Sequence, residues 1–132
     1  MQYSFKIYGH ENILSAHERT LEFTKDSKLT KNGDCIVGVK AEFLLEKLKP
    51  LLSLEKARIK IEAGSLRDDI IAVPNKKFSS NEEMVIRLGE FDSERTFAVR
   101  ADKSSADLNR KLVELLKKGG SALVTISGIE NI

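Results

Sequence analysis

The sequence has one cysteine, no tryptophan and only 6% aromatic residues among its 132 positions. A lone Cys35 excludes an internal disulfide and a cysteine-rich zinc site, and it favours a reducing compartment. Few aromatic rings leave few platforms for stacking bases, so nucleic acid is not favoured as a partner. No apolar run reaches the roughly 18 residues of a membrane span, and the first residues do not resemble a secretion signal. These absences predict a soluble cytoplasmic protein without a membrane partner.

Charge is abundant but balanced, with 22 basic and 20 acidic side chains and a formal net charge of +2. Neither half of the chain forms a basic arm or an acidic tail, so charge alone indicates no partner. A charged fraction of 32% is typical of thermophile proteins. The length predicts a single domain over residues 1–132.

Apolar periodicity predicts about eight strands and two helices. The strands are expected near residues 3–7, 16–24, 35–39, 57–63, 69–73, 83–88, 95–100 and 122–126. Leucines at helical spacing predict one helix from about Ala41 to Pro50. A second helix is expected to start at Ser104 or Ser105 and to end at the glycine pair 119–120.

The two halves of the chain have the same predicted order, β-β-β-α-β. The segments before the two helices share a pattern at an offset of 60 positions. The first contains Val37, Val39 and Lys40, and the second contains Phe97, Val99 and Arg100. The pattern indicates an internal repeat of residues 1–66 and 67–132. We therefore expect an α+β fold, with a mainly antiparallel curved sheet or barrel and two helices packed against it.

Three segments, 9–24, 33–39 and 100–108, resemble an archaeal family known only as domain of unknown function 371. The resemblance covers the whole chain, but the family has no established activity and implies no catalytic residue. At the level of fold, the Gly33-Asp34 pair resembles the GD box of cradle-loop barrels, which are built from duplicated β-rich halves. In this segment we expect Gly33 to supply a positive φ angle and Asp34 to accept hydrogen bonds from turn amides.

His10 and His17 are the only histidines, and they flank a short connection between two predicted strands. A hairpin of those strands would bring the two imidazoles together at its mouth. Such a pair could act as general acid and base or as metal ligands, or it could be two ordinary surface histidines. Cys35 is a third catalytic candidate as a nucleophile beside a histidine, although its parity with Val37 and Val39 also fits a buried, unreactive thiol.

Other polar residues are candidates for ligand binding: Thr20, Glu22, Asp34, Lys103, Ser104 and Ser105. Thr20 and Glu22 share one strand face, which could line a polar interior or contact solvent. Lys103 and the two serines open the second predicted helix, where free amides would attract a small anionic or phosphate-bearing ligand. Ordinary helix capping explains the serines equally well.

No phosphate-loop, dinucleotide, serine-hydrolase or zinc-protease motif is present, so the cofactor is unknown. The residues therefore favour a small-molecule-binding protein or enzyme with a polar pocket near the two histidines. The alternative is a non-catalytic module that binds nucleic acid or protein. A homodimer is also expected if exposed strand edges pair with a second copy.

Overall fold

The computed structural model describes residues 1–129, and its eight strands belong to one mixed sheet. The strands are β1 (Gln2–Tyr8), β2 (Thr20–Thr24), β3 (Ile36–Gly38), β4 (Ala57–Ala63), β5 (Leu66–Pro74), β6 (Glu83–Arg87), β7 (Thr96–Val99) and β8 (Ser121–Gly128). The helices are α1 (Leu45–Leu48) and α2 (Arg110–Lys117), with 3₁₀ segments at Lys49–Ser53 and Ser105–Asp107. The predicted α+β class is confirmed.

The strand order is β1-β8-β4-β5-β7-β6-β2-β3. Within residues 1–129 five strand pairs are antiparallel, and the pairs β2–β3 and β6–β7 are parallel. The two edge strands are joined only by an isolated bridge between Tyr8 and Val39, through N–H to O distances of 2.9 and 2.8 Å. The sheet is therefore curved but not closed, and the barrel alternative is not confirmed.

The predicted hairpin of β1 and β2 is wrong, because β1 pairs with β8 while β2 pairs with β3 and β6. The connection between β1 and β2 instead enters the interior, where Ile13 and Ser15 are fully buried. β2 begins at Thr20, later than predicted, since the His17 ring accepts the backbone N–H groups of Arg19 and Thr20 and holds the preceding residues in a turn.

Both predicted helices are shorter than expected. Pro50 lies at the start of the 3₁₀ segment after α1, because proline lacks the amide that would continue an α-helix. Ser104 caps the 3₁₀ segment Ser105–Asp107, and α2 begins only after Asn109, whose side chain accepts the N–H of Lys111. No helix in residues 1–129 is both long enough and apolar enough to cross a membrane.

Exchanging the two halves keeps the strand pairing, except that the β5–β7 ladder has only the isolated Tyr8–Val39 bridge as its counterpart between the edge strands. β1 pairs with β8 as β5 pairs with β4, and β2 pairs with β3 as β6 pairs with β7. The register corresponds as well. Glu22 opposes Ile36 in the β2–β3 pair, and Val85 opposes Thr96 in the β6–β7 pair. Val85 follows Glu22 by 63 positions, and Thr96 follows Ile36 by 60. Glu22 also opposes Val85 directly, so this residue pair lies on the axis that relates the halves.

Backbone details outside the ladders follow the same offsets. The N–H of Ala41 donates to Thr24 O at 2.9 Å, and the N–H of Ala101 donates to Arg87 O at 3.0 Å. Lys40 and Arg100, 60 positions apart, both have positive φ, 49° and 53°. A duplicated β-β-β-α-β unit would produce this pattern, and duplication itself stays a prediction.

The core is one cluster of buried apolar side chains from the strands of the sheet and from both helices. Phe5 packs edge-on against Phe23 and Phe43, with ring centroids 6.0 and 5.7 Å apart. From α2, the fully buried Leu112 and Leu116 join the same cluster. Burying side chains of this size contributes roughly 1.5 to 3 kcal/mol each, so the helices are held mainly by their apolar faces.

Gly9 allows the chain after β1 to touch the end of α2. Its N–H donates to Gly120 O at 2.7 Å, and the next N–H, of His10, donates to Leu116 O at 3.0 Å. A Cβ atom at residue 9 would lie 1.8 Å from Leu116 O. Only glycine therefore fits without moving the backbone of α2.

We expect Gly9→Ala to lower the free energy of unfolding by about 3 kcal/mol, the upper range for overpacking a rigid contact. Urea denaturation measures the change. Gly89→Ala is the control, because the nearest atom to a Cβ there is the flexible end of Arg19 at 3.3 Å. Equal effects of the two substitutions would contradict the assigned role of Gly9.

Candidate functional site

A buried carboxyl group occupies the axis between the two halves. Glu22 lies on β2 with its side chain only 8% exposed. Arg95, just before β7, approaches Glu22 Oε1 with Nη2 at 3.6 Å and pairs through Nε with Glu83 Oε1 at 2.8 Å. The Cys35 thiol lies 3.8 Å from Glu22 Oε1. We call Thr20, Glu22, Cys35, Glu83 and Arg95 the Glu22 cluster.

Two carboxylates in this cluster compete for one guanidinium group. Burial, followed by the charge and hydrogen bonding of Glu83, raises the pKa of Glu22 from 4.5 to about 7. Arg95 and the Cys35 thiol lower this pKa, but not enough to offset burial. Glu22 therefore exchanges its proton in the neutral range, which makes it a candidate proton-transfer group.

Cys35 is half-buried instead of fully buried as its strand parity predicted. Burial and the nearby charge of Glu22 raise the thiol pKa to about 11, while the Thr20 side chain lowers it slightly. At neutral pH the sulfur is therefore protonated, and the thiolate that a nucleophile needs is scarce. In this structure Cys35 serves Glu22 as a weak hydrogen-bond donor.

The structure thus brings together three predicted candidates, Thr20, Glu22 and Cys35. Sequence analysis missed their charged partners, Glu83 and Arg95. A signal for Arg95 was present, because the offset of 60 positions that matches Val39 to Val99 also matches Cys35 to Arg95. The backbone agrees, since Glu22 N–H donates to Cys35 O and Val85 N–H donates to Arg95 O, both at 3.0 Å.

The two histidines act as backbone caps. His10 Nδ1 accepts the N–H of Asn12 at 3.0 Å, and in the second half Asn75 Oδ1 accepts the N–H of Lys77 at 3.1 Å. The residues correspond at an offset of 65 positions.

The His17 ring has a counterpart in the second half too. Its Nδ1 accepts two amides, from Arg19 and Thr20, as Ser80 Oγ accepts two amides, from Glu82 and Glu83. Each imidazole therefore does what asparagine or serine does in the other half. Within residues 1–129 no group of three His, Cys, Asp or Glu side chains is arranged to hold a metal ion.

The predicted anion site at Lys103, Ser104 and Ser105 is occupied by the protein's own carboxylates. Asp68 accepts Lys103 Nζ and the N–H of Asn109 at the start of α2, and the Asp68 hydrogen bond raises the pKa of Lys103. Ser104 bonds to Asp107 and lowers the pKa of that carboxyl. Ser105 is fully buried, and its hydroxyl bonds to the backbone of His17. These groups form an internal capping network.

The Gly33-Asp34 pair differs from its expected role. Gly33 has no positive φ; instead, a Cβ atom there would lie 2.9 Å from Leu29 Cδ1 and 3.1 Å from Ile36 Cδ1. A larger residue would need the flexible ends of the Leu29 and Ile36 side chains to move. Asp34 contributes its carbonyl oxygen, which accepts the N–H of Ala16 at 2.9 Å.

A basic cleft lies between the 3₁₀ segment Lys49–Ser53 and the loop after β5. Its volume is about 590 Å³, and we call it the lysine cleft. It is lined by Lys49, Leu52, Ser53, Lys76, Lys77, Phe78 and Ser79. Among the described residues, none of the ion pairs uses the three lysines. The sequence signal that was not used is the Lys76-Lys77 pair directly after a strand and a turn.

The corresponding place in the first half is bonded to the end of α2, beside a separate cavity of about 500 Å³ lined by Lys111, Glu114, Leu115, Lys118 and Gly120. There Gly9 and His10 donate their N–H groups to the end of α2. At an offset of 65 positions Gly9 corresponds to Pro74, which has no N–H to donate. The loop after β5 therefore bonds elsewhere, with Asn75 N–H donating to Phe97 O at 2.8 Å, and the cleft stays open.

The fold and these sites define a small α+β protein with two matching halves, one buried carboxyl near neutrality on their axis, and one basic cleft. The chain belongs to the family described as Domain of unknown function (DUF371), which matches residues 5–129. It is similar to Uncharacterized protein MJ0206 of Methanocaldococcus jannaschii, with 35% identity over 133 residues that cover 96% of this chain and 98% of that protein. The resemblance inferred from the sequence is confirmed.

We expect Glu22→Gln to change how stability depends on pH. Between about pH 4.5 and 7 the folded protein keeps a proton on Glu22 that the unfolded chain releases, so this group's stabilisation is lost as pH rises through 7. Glutamine cannot titrate. The variant should gain stability relative to wild type between pH 5 and pH 8, by about 3 kcal/mol at most.

Urea denaturation across this pH range measures the difference. Glu82→Gln is the matched control, because Glu82 is an exposed carboxyl next to the cluster. Parallel pH profiles for wild type and Glu22→Gln would show that Glu22 titrates normally.

We expect His17→Ser to keep most of the stability of wild type, because serine holds the equivalent turn in the second half. His17→Ala removes the acceptor of two amides and should cost about 1 kcal/mol relative to His17→Ser. Denaturation midpoints compare the two variants. If serine were no better than alanine, the His17 ring would not be acting as a cap.

Proposed function

We propose that this protein binds a small anionic ligand of the phosphate or sulfate class in the lysine cleft. The observation that carries the proposal is an open cleft lined by three lysines and two serines. Lysine ammonium groups are common partners of phosphate oxygens, and hydroxyls can donate to the same oxygens. A ligand with two or more negative charges fits this set of donors.

The electrostatics of the cleft support the proposal. Lys103, Arg58 and Arg67 each have an acidic partner, whereas Lys49, Lys76 and Lys77 pair with no carboxylate among the described residues. Positive groups left without internal counterions hold a local positive potential. An anion in the cleft would supply the missing negative charge.

The difference between the halves is a second support. Glu11 and Asn12 occupy the positions that correspond to Lys76 and Lys77, so the first half has no pair of lysines there. The residues before them, Gly9 and His10, are bonded to the end of α2. Only the second half therefore presents two adjacent lysines at this place.

A nucleic-acid role is the alternative. Phosphates along a strand would be attracted to the same lysines, but Phe78 at the cleft is only 2% exposed and offers no face for base stacking. The cleft therefore favours an isolated anionic group. The partner class predicted from the sequence is kept, and its location moves from Lys103 to the lysine cleft.

Sulfate or inorganic phosphate should raise the melting temperature of wild type at constant ionic strength, because binding to the folded state stabilises it. The Lys76→Gln/Lys77→Gln variant should bind about thirtyfold more weakly, since two lost contacts to an anion cost roughly 1 kcal/mol each. Titration of backbone amide signals in the loop by NMR gives the dissociation constants.

Lys117→Gln/Lys118→Gln is the matched control, because it removes two adjacent positive charges at the end of α2. Equal weakening in both variants would reduce the effect to net charge and overturn the proposed site. Tighter, strongly salt-dependent binding of an RNA oligonucleotide than of phosphate would favour the alternative.

A further inference from the structure

The loop that carries Lys76 and Lys77 is attached to the Glu22 cluster. On one side, Asn75 Nδ2 donates to the carbonyl oxygens of Ser93 and Thr96 at 3.1 and 2.8 Å, and Ser79 N–H donates to Glu94 O at 2.9 Å. Arg95 lies within this acceptor segment, 93–96. The loop is therefore bonded to the backbone on both sides of Arg95, the residue that carries the guanidinium group of the cluster.

A second attachment reaches the other carboxyl group. Ser80 Oγ accepts the N–H of Glu83 at 3.1 Å, at the point where the loop becomes β6. Glu83 is the residue that pairs with Arg95. The loop is thus hydrogen-bonded to the backbone on either side of Arg95 and to the backbone of Glu83, the two charged partners of Glu22.

The charge of the cluster depends on one proton. Glu22 is faced by Glu83 from β6, by Arg95 from the segment before β7 and by the Cys35 thiol from the segment before β3. With both carboxyl groups ionised, two negative charges meet one positive charge and a net charge of −1 remains beside the buried Glu22 side chain. With one proton shared by the pair, the cluster is neutral.

We propose that binding of an anion in the lysine cleft is coupled to uptake of a proton by the Glu22–Glu83 pair. A bound anion disfavours the negative form of the cluster and therefore stabilises the protonated form. Coupling is reciprocal, so protonation strengthens anion binding by the same factor. The inference rests on the proposed function, because it concerns the regulation of the same site.

The pKa of Glu22 makes this coupling effective near neutral pH. Since burial and Glu83 raise that pKa to about 7, both forms of the pair are populated between pH 6 and pH 8. Affinity for the anion should therefore fall as pH rises through 7. We expect a decrease of about threefold, slightly weaker than the roughly five- to 150-fold couplings typical between separate sites.

The test uses sulfate as the probe, because sulfate does not itself titrate near neutral pH. The side-chain carboxyl carbon of Glu22 is followed by NMR from pH 5 to pH 9, with saturating sulfate and with chloride at equal ionic strength. A threefold coupling moves the midpoint upward by about half a pH unit. At the same sulfate concentration the displacement should be smaller in Lys76→Gln/Lys77→Gln, because less of this variant is bound.

A second measurement separates this inference from the proposed function. Sulfate dissociation constants are compared at pH 6 and pH 8 for wild type, Glu22→Gln and the exposed control Glu82→Gln. Glu22→Gln should bind with little pH dependence, and Glu82→Gln should behave as wild type. If sulfate does not bind wild type at all, the proposed function fails.

If sulfate binds in the lysine cleft but the Glu22 midpoint does not move, only the coupling fails. An equal pH dependence in Glu22→Gln and wild type would also overturn the coupling and assign the pH effect to other groups.

Discussion

The pairing of strands across the two halves holds this protein together. Of the seven ladders among the described residues, four join a strand of the first half to a strand of the second: β1–β8, β8–β4, β4–β5 and β6–β2. Neither half forms a continuous sheet by itself, because its first and last strands find their main partners in the other half. Folding therefore requires long-range pairing, and each half completes the core of the other.

This arrangement explains why a carboxyl group is buried at the centre. Residues on the axis face their own counterparts, and a symmetric pair of glutamates there would place two like charges side by side. In this chain Glu22 faces Val85, and Arg95 stands where the first half has Cys35. The halves differ at these positions, so that one buried acid meets one cation across the axis. The second acid, Glu83, is the first residue of β6. With it, the cluster has two acidic side chains and one basic side chain.

The same comparison separates structural histidines from functional ones. His10 and His17 attract attention as the only imidazoles, yet asparagine and serine make the corresponding hydrogen bonds in the second half. In contrast, Lys76 and Lys77 replace Glu11 and Asn12 beside a crevice that Pro74 leaves open. Side chains that only one half has are the better guide to function. Hydrogen bonds that both halves make are already explained by the fold.

Local sequence determined the α+β class, the approximate positions of the eight strands, the correspondence of the halves and the family. Alternation of apolar residues, glycine and proline turns and the repeated pattern around Val39 and Val99 are local signals, and local backbone preferences follow them. Tertiary structure decided which strands pair. This pairing brought together the residues of the Glu22 cluster and of the lysine cleft. Periodicity specifies which face of a strand is buried but not which strand covers it, so the expected β1–β2 hairpin was wrong and Glu83 and Arg95 were missed. The neutral-range carboxyl and the open basic cleft exist only through contacts between residues far apart in the chain, because burial and charge are properties of the packed surroundings.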